Sequence, residues 1–238
     1  MRGFRRVGFL AAAAAVAAIL SSDCASSLVS GTIERRMKEK LPELLGPADS
    51  YELEVSGGTV PMTRGRIDEL VIRGRGVQVM PDFQVDELIV RITDLVAASD
   101  GAIKSVGGVT FEALATQARL NDYLVRSKQK EMTIELLEDR LLVNARPRLL
   151  GIPASVRVTG PLLPDGAKLN LKIESLEVIG VGVPLIAADF VEWKVNPVVD
   201  MATTGFAPHL RAVEISPQGI RIRGAANIAA ALEGSDSR

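Results

Sequence analysis

Cysteine and histidine are nearly missing from this chain. Its 238 residues contain one of each, Cys24 and His209. One cysteine excludes an intrachain disulfide framework, and one of each excludes a Cys/His metal site within a single chain. A histidine-based triad would have to use His209. Aromatic residues are also scarce, at 4%, although hydrophobic residues reach 47%. The apolar content is therefore Ala, Val, Leu and Ile, which form smooth aliphatic walls. Neither sign of charge dominates: 28 Lys and Arg face 29 Asp and Glu, a net charge of -1. That balance argues against nucleic acid as a partner.

The usual chemical signatures are lacking too. No Gly-x-Ser-x-Gly elbow and no phosphate loop occur. Gly74-Arg75-Gly76 and Gly180-Val181-Gly182 lack the third glycine of a dinucleotide fingerprint. His209 reads as a surface or strand-edge residue. Asp68-Glu69 and Asp86-Glu87 are adjacent carboxylates in strand-like stretches, so they point to opposite faces and cannot work as an acid–base couple without a bulge. No catalytic residue, metal ligand or cofactor is expected.

What is present begins with an address. Arg2, Arg5 and Arg6 precede an apolar run from Val7 to Leu20, followed by small or polar residues. This is the plan of a secretion signal over residues 1–24, and the run is short for a membrane span of about 20 residues. An uncleaved anchor is the alternative. Cys24 suggests a lipid anchor, but Asp23 stands where a small residue belongs, so ordinary cleavage near Ser22 to Ala25 is favoured. The expected location is extracytoplasmic, in the periplasm or cell envelope. Without residues 1–24 the chain has 25 positive and 28 negative side chains.

A single domain is expected over 25–232, with a disordered tail at 233–238. Val29, Ile33, Met37, Leu41 and Leu44 make a helical stripe over 26–45. Period-two alternation then predicts strands at 51–55, 66–73, 76–80, 83–97 and 103–115. A parity slip between Val85 and Leu88 suggests a bulge. A helix capped by Thr116 is predicted over 117–128, and hairpins about Glu138-Asp139, Pro164-Asp165-Gly166 and Pro217-Gln218-Gly219. Ile186, Phe190 and Trp193 suggest a short helix over 185–194. The fold class is α+β: a strongly curved, mostly antiparallel sheet wrapped around a few helices, with an aliphatic groove or tunnel.

Several stretches are apolar on both parities, which a strand with one wet face does not require. They supply the candidate lipid-tail residues: Leu136, Leu142, Leu149, Leu150, Ile152, Ile179, Val181, Val183, Leu185, Ile186, Phe190 and Trp193. They fill a solid core, or they line a groove for an acyl chain or a lip that dips into a membrane; both readings stay open. Arg64, Arg66, Arg73 and Arg75 are the candidate headgroup residues, because guanidinium groups bind phosphate bidentately. A solvated face is the competing reading of those charges.

Four features carry a family resemblance: the export signal before an amphipathic helix, the Thr63-Arg64-Gly65-Arg66-Ile67 step, Leu120-Asn121-Asp122-Tyr123-Leu124 after a strand, and Val195-Asn196-Pro197-Val198-Val199-Asp200 ahead of Val213-Glu214-Ile215 and Gly219-Ile220-Arg221-Ile222. Over nearly all of residues 28–226 the chain resembles the LmeA-like family of exported bacterial phospholipid-binding proteins. The resemblance implies a non-catalytic extracytoplasmic protein that binds or transfers phospholipid in envelope maintenance, with phospholipid and the membrane surface as partners. Two rivals remain from the residues themselves. One is a structural module of the envelope with a solid core; the other is an enzyme using His209 and the Asp86/Glu87 pair.

Overall fold

Period-two alternation becomes antiparallel sheet nearly everywhere that it occurs. The computed structural model describes residues 41–42, 45–56, 66–97, 103–127, 131–146, 148–149, 152–153, 155–179, 196–201 and 208–226. In chain order the elements are β1 (Ser50–Ser56), β2 (Arg66–Met80), β3 (Phe83–Ala97), β4 (Ile103–Ser105), β5 (Gly108–Ala115) and helix α1 (Gln117–Arg126). Then come β6 (Met132–Leu136), β7 (Leu141–Ala145), β8 (Arg148–Leu149), β9 (Ile152–Pro153), β10 (Ser155–Gly160), β11 (Leu162–Asp165) and β12 (Lys168–Leu171). The last four are β13 (Ser175–Ile179), β14 (Val199–Asp200), β15 (Pro208–Ser216) and β16 (Gly219–Ala226).

The largest sheet has the order β1-β2-β3-β5-β16-β15, with β4 added beside β3. A second sheet runs β13-β10-β7-β6, a third runs β11-β12-β14, and β8 pairs with β9. Every pairing is antiparallel, as hairpin-rich sequence dictates. None of these ladders closes into a barrel among the described residues.

The long hairpin β2–β3 departs from expectation in an instructive way. The two stretches foreseen at 66–73 and 76–80 are one continuous strand. The parity slip after Val85 is present, since Val85, Leu88, Val90 and Ile92 are all buried. Yet the β2–β3 register is the same on either side of it: Arg75 faces Glu87 and Val77 faces Val85. Both strands step together there, at Gly76 and Asp86, and the register shifts by one residue only nearer the tip, between Gln78 and Met80. Gly76 sits at φ +60°, a conformation that costs glycine little. The same happens opposite Asp94, at φ 50°. The segment 103–115 is split, with Val106 and Gly107 separating β4 from β5. The helix expected over 117–128 is α1, ending at Arg126 with Thr116 as its N-cap. Of the stripe over 26–45, Leu41, Pro42 and Leu45 are described and are helical; Gly46, at φ +107°, ends the turn. The helix foreseen over 185–194 and residues 1–40 and 227–238 lie outside the described residues.

Two apolar cores result. The larger joins Leu41 and Leu45 to the inner faces of β2, β3 and β5, with Leu169 of β12 and Leu210 of β15. The smaller joins Leu136, Leu141, Val158, Leu162 and Leu171 to Ile215 and Ile220 of the last hairpin. Leu120 of α1, with Val213 and Ile222, packs against both.

Candidate functional site

The meeting of the two cores is not filled. A recess of about 160 Å³ lies between them. Its walls come from elements remote from one another in sequence. The β2–β3 hairpin gives Val79, Met80, Phe83, Val85 and Leu88, and β5 gives Phe111, Ala113 and Ala115. The last hairpin gives Ile220 and Ile222. Ile134, Leu141, Leu162 and Leu169 come from the smaller sheets, and Leu45, Leu120, Val198, Val199 and Met201 complete it. Every lining residue is apolar. On β5 the inner positions carry alanine at 113 and 115 where a leucine would reach across, so the space follows from side-chain size. The joint step at Gly76 and Asp86 matters here. It turns Val77, Val79 and Val85 to the face that carries Ile72 and Leu88, so the hairpin tip joins the wall.

Helix α1 forms one side, and polar groups hold it in place. Its buried residue is Leu124, while Phe83 meets Tyr123 edge to face at 5.3 Å. At its start the Thr116 amide donates to Asp86 Oδ2 at 2.8 Å, and Arg119 donates to Asp86 Oδ1 at 3.2 Å and to Gln84 Oε1 at 2.9 Å. Partial burial raises the Asp86 pKa, but these donors outweigh it and hold the carboxyl below the usual aspartate range. Along its length, Gln117 Oε1 accepts from the Leu136 amide, and Asn121 pairs with both the amide and the carbonyl of Ile134, each at 2.8 Å. The helix side chains thus stand in for a neighbouring strand on the open edge of β6. Asn196 repeats the device on β12: it accepts from the Leu171 amide at 2.8 Å and donates to the Leu171 carbonyl at 2.9 Å. Both asparagines belong to the motifs that carried the family resemblance, which gives those motifs a structural reason.

The candidate tail residues fall into three groups. Leu136 is buried in the smaller core, and Leu142 lies half-buried on the alternate parity from Leu141; neither lines the recess. Leu149, Ile152 and Ile179 are described as strand backbone only. Leu150, Val181, Val183, Leu185, Ile186, Phe190 and Trp193 lie outside the described residues, as does Arg64. Of the other arginines, Arg66 is exposed and paired with Asp68 and Asp94. Arg73 and Arg75 alternate with Ile72 and Gly74, so they project from the face of β2 turned away from the recess. They make no ion pair among the described residues. The structure therefore does not bring these arginines and the recess together.

The residues of the rival enzyme reading are separated as well. His209 is exposed on β15, Glu87 faces away from the recess beside Leu114, and Asp86 is bound to α1. Among the described residues, the larger sheet's outer face holds a network of linked ion pairs. There Glu112 binds Arg221 and Arg223, and Arg223 also binds Glu214 at 2.6 Å. The Arg223 contact is the main cause of a lowered Glu112 pKa.

Among the described residues, none of the candidate tail residues lines the recess, because those that do line it alternate like any buried strand face. The one local signal was Ala113 and Ala115, two small side chains in a row on an inner face. No curated protein and no solved structure matches the chain. The model of the LmeA-like phospholipid-binding family matches residues 24–225. That span is most of the chain, and the chain belongs to the LmeA-like phospholipid-binding family.

Proposed function

We propose that this protein is an exported, non-catalytic carrier that binds phospholipid by seating acyl chain in the recess, and serves upkeep of the cell envelope. The observation that carries the reading is a space between two cores whose lining contains no polar side chain. In this reading the long sheet curves about the recess, and the polar headgroup stays outside it. An apolar cavity of about 150 Å³ stays dry and takes a benzene-sized guest. The recess, at about 160 Å³, thus suits about six carbons of a chain. At about 0.8 kcal/mol per methylene these contribute about 5 kcal/mol, a dissociation constant of about 0.2 mM. Useful affinity then needs the remaining carbons to make contacts beyond this volume.

The solid-core scaffold reading is disfavoured by the same space. The enzyme reading is disfavoured by Asp86, whose two oxygens are taken by α1. No cofactor, metal or nucleic acid enters the proposal; the membrane surface does, as the source of lipid. The arrangement of residues 1–24 supports export. The test is mass spectrometry of ligands extracted from protein purified under native conditions. Phospholipid at a stoichiometric level is the expected result. Lipid-free protein that also takes no phospholipid from vesicles overturns the proposal.

A further inference from the structure

The three-stranded sheet β11-β12-β14 has one face in the recess and one in water. Leu162, Leu169 and Val199 belong to the first. On the second, the register sets Leu163 beside Asn170, and Asp165 and Asp200 on either side of Lys168. Leu163 is 45% exposed and Val198 47%, two of the four most exposed large apolar residues described. Val198, at the step into β14, also lines the recess. It therefore marks a place where the recess reaches the surface, with Leu163 exposed on the same face across Asn170.

At the turn end Asp165 and Asp200 flank Lys168, which pairs with Asp200 at 3.9 Å. At the other end Lys172, one residue past β12 on the same alternation, is exposed and has no ion-pair partner among the described residues, while the exposed Glu174 beyond it is taken up by Arg140 at 3.3 Å. Two exposed apolar side chains at the recess mouth with an unpaired lysine at their margin suit a bilayer surface with anionic headgroups. Such a position also lets a chain pass from bilayer to recess without crossing water.

We propose that this face, centred on Leu163 and Val198 with Lys172 at its margin, docks on an anionic bilayer and sets the recess mouth against it. The inference rests on the lipid-carrier reading above. It is tested with the full chain and the variants Leu163→Glu and Lys172→Glu, neither of which alters the recess lining. Two readouts are needed: binding of a water-soluble, short-chain fluorescent phospholipid, and uptake of a long-chain fluorescent phospholipid from phosphatidylglycerol/phosphatidylcholine vesicles. Both variants are expected to bind the short-chain lipid like wild type and to slow uptake from vesicles about tenfold. The Lys172→Glu effect should vanish on pure phosphatidylcholine. Arg75→Glu, on the outer face of the large sheet, should leave uptake unchanged. If both variants take lipid from vesicles at the wild-type rate, or if Arg75→Glu slows uptake as much, the docking face is wrong while the carrier reading stands. Wild type that ignores the short-chain lipid overturns the carrier reading itself.

Discussion

Ala113→Phe puts the recess to its most direct test. Ala113 sits on the inner face of β5, between Leu88 of β3 and Ile222 of β16, and lines the recess with both of them. A phenyl ring there occupies a volume close to that of the recess, since a cavity of about 150 Å³ is filled by benzene. If the hole is where acyl carbons lie, the ring displaces about six of them. The loss is about 5 kcal/mol at about 0.8 kcal/mol per methylene, or more than a thousandfold in affinity. Folding should change far less, because the ring fills a void; misfit would cost about 1–3 kcal/mol at most. Titration with a fluorescent phospholipid reads the affinity, and urea denaturation reads the stability. Leu114→Phe, on the opposite face of the same strand, is the control and should bind lipid normally. A folded Ala113→Phe protein with wild-type affinity would refute the assignment of the recess as the lipid site.

Other outcomes follow from the framework around it. Asn121→Ala and Asn196→Ala each remove a two-bond clasp on a strand edge, and each should cost about 1–3 kcal/mol by urea denaturation. Loss from Asn121 should be accompanied by faster hydrogen exchange at Ile134. Asp86, whose folded pKa lies below its unfolded value, contributes stability that is full above the ordinary aspartate range and is lost as pH falls through the folded pKa. Thermal melts of Asp86→Asn should therefore be lower than wild type at neutral pH and converge with it on acidification. Gly76→Ala places a side chain at φ +60° and against the Asp49 carboxylate. It should cost about 1–2 kcal/mol and weaken lipid binding with it, because the hairpin tip is part of the wall. Tyr51→Phe removes the hydroxyl that donates to the Gly46 carbonyl at 2.8 Å and should cost about 1 kcal/mol without touching lipid affinity.

The fold was largely legible because its rules are local. Alternation located β1, β3, β6 and β7 to within a residue or two, and turn chemistry located the hairpins at Asp139, Gly166 and Pro217. Thr116 announced its helix through a cap that satisfies one backbone donor. The step at Gly76 and Asp86 was legible as a change of parity in β3, but not as a paired event, since nothing in one strand states what its neighbour does. The arginines illustrate the same limit. Their chemistry suits phosphate, but parity on β2 sends Arg73 and Arg75 to the face away from the recess, and only the three-dimensional register relates that face to the site.

Why a recess could not be read from the apolar runs has a physical answer. A run that is apolar on both parities signals burial on two sides, which a solid core satisfies as well as a cavity does. A cavity is a deficit of volume between elements remote in sequence, here β5, the β2–β3 tip, the last hairpin and the β11–β12 pair. It arises because the framework is held apart by bonds that do not depend on filling the middle. Asp86 and Arg119 fix the start of α1, Gln117 and Asn121 fix it to β6, and Asn196 fixes the approach to β14. Apolar packing alone would draw the two cores together, since contact lowers exposed area. Polar clasps on strand edges resist that collapse, because closing the gap would break hydrogen bonds of buried or half-buried backbone groups. On this argument the asparagines serve lipid binding indirectly, by keeping open a space that they do not line.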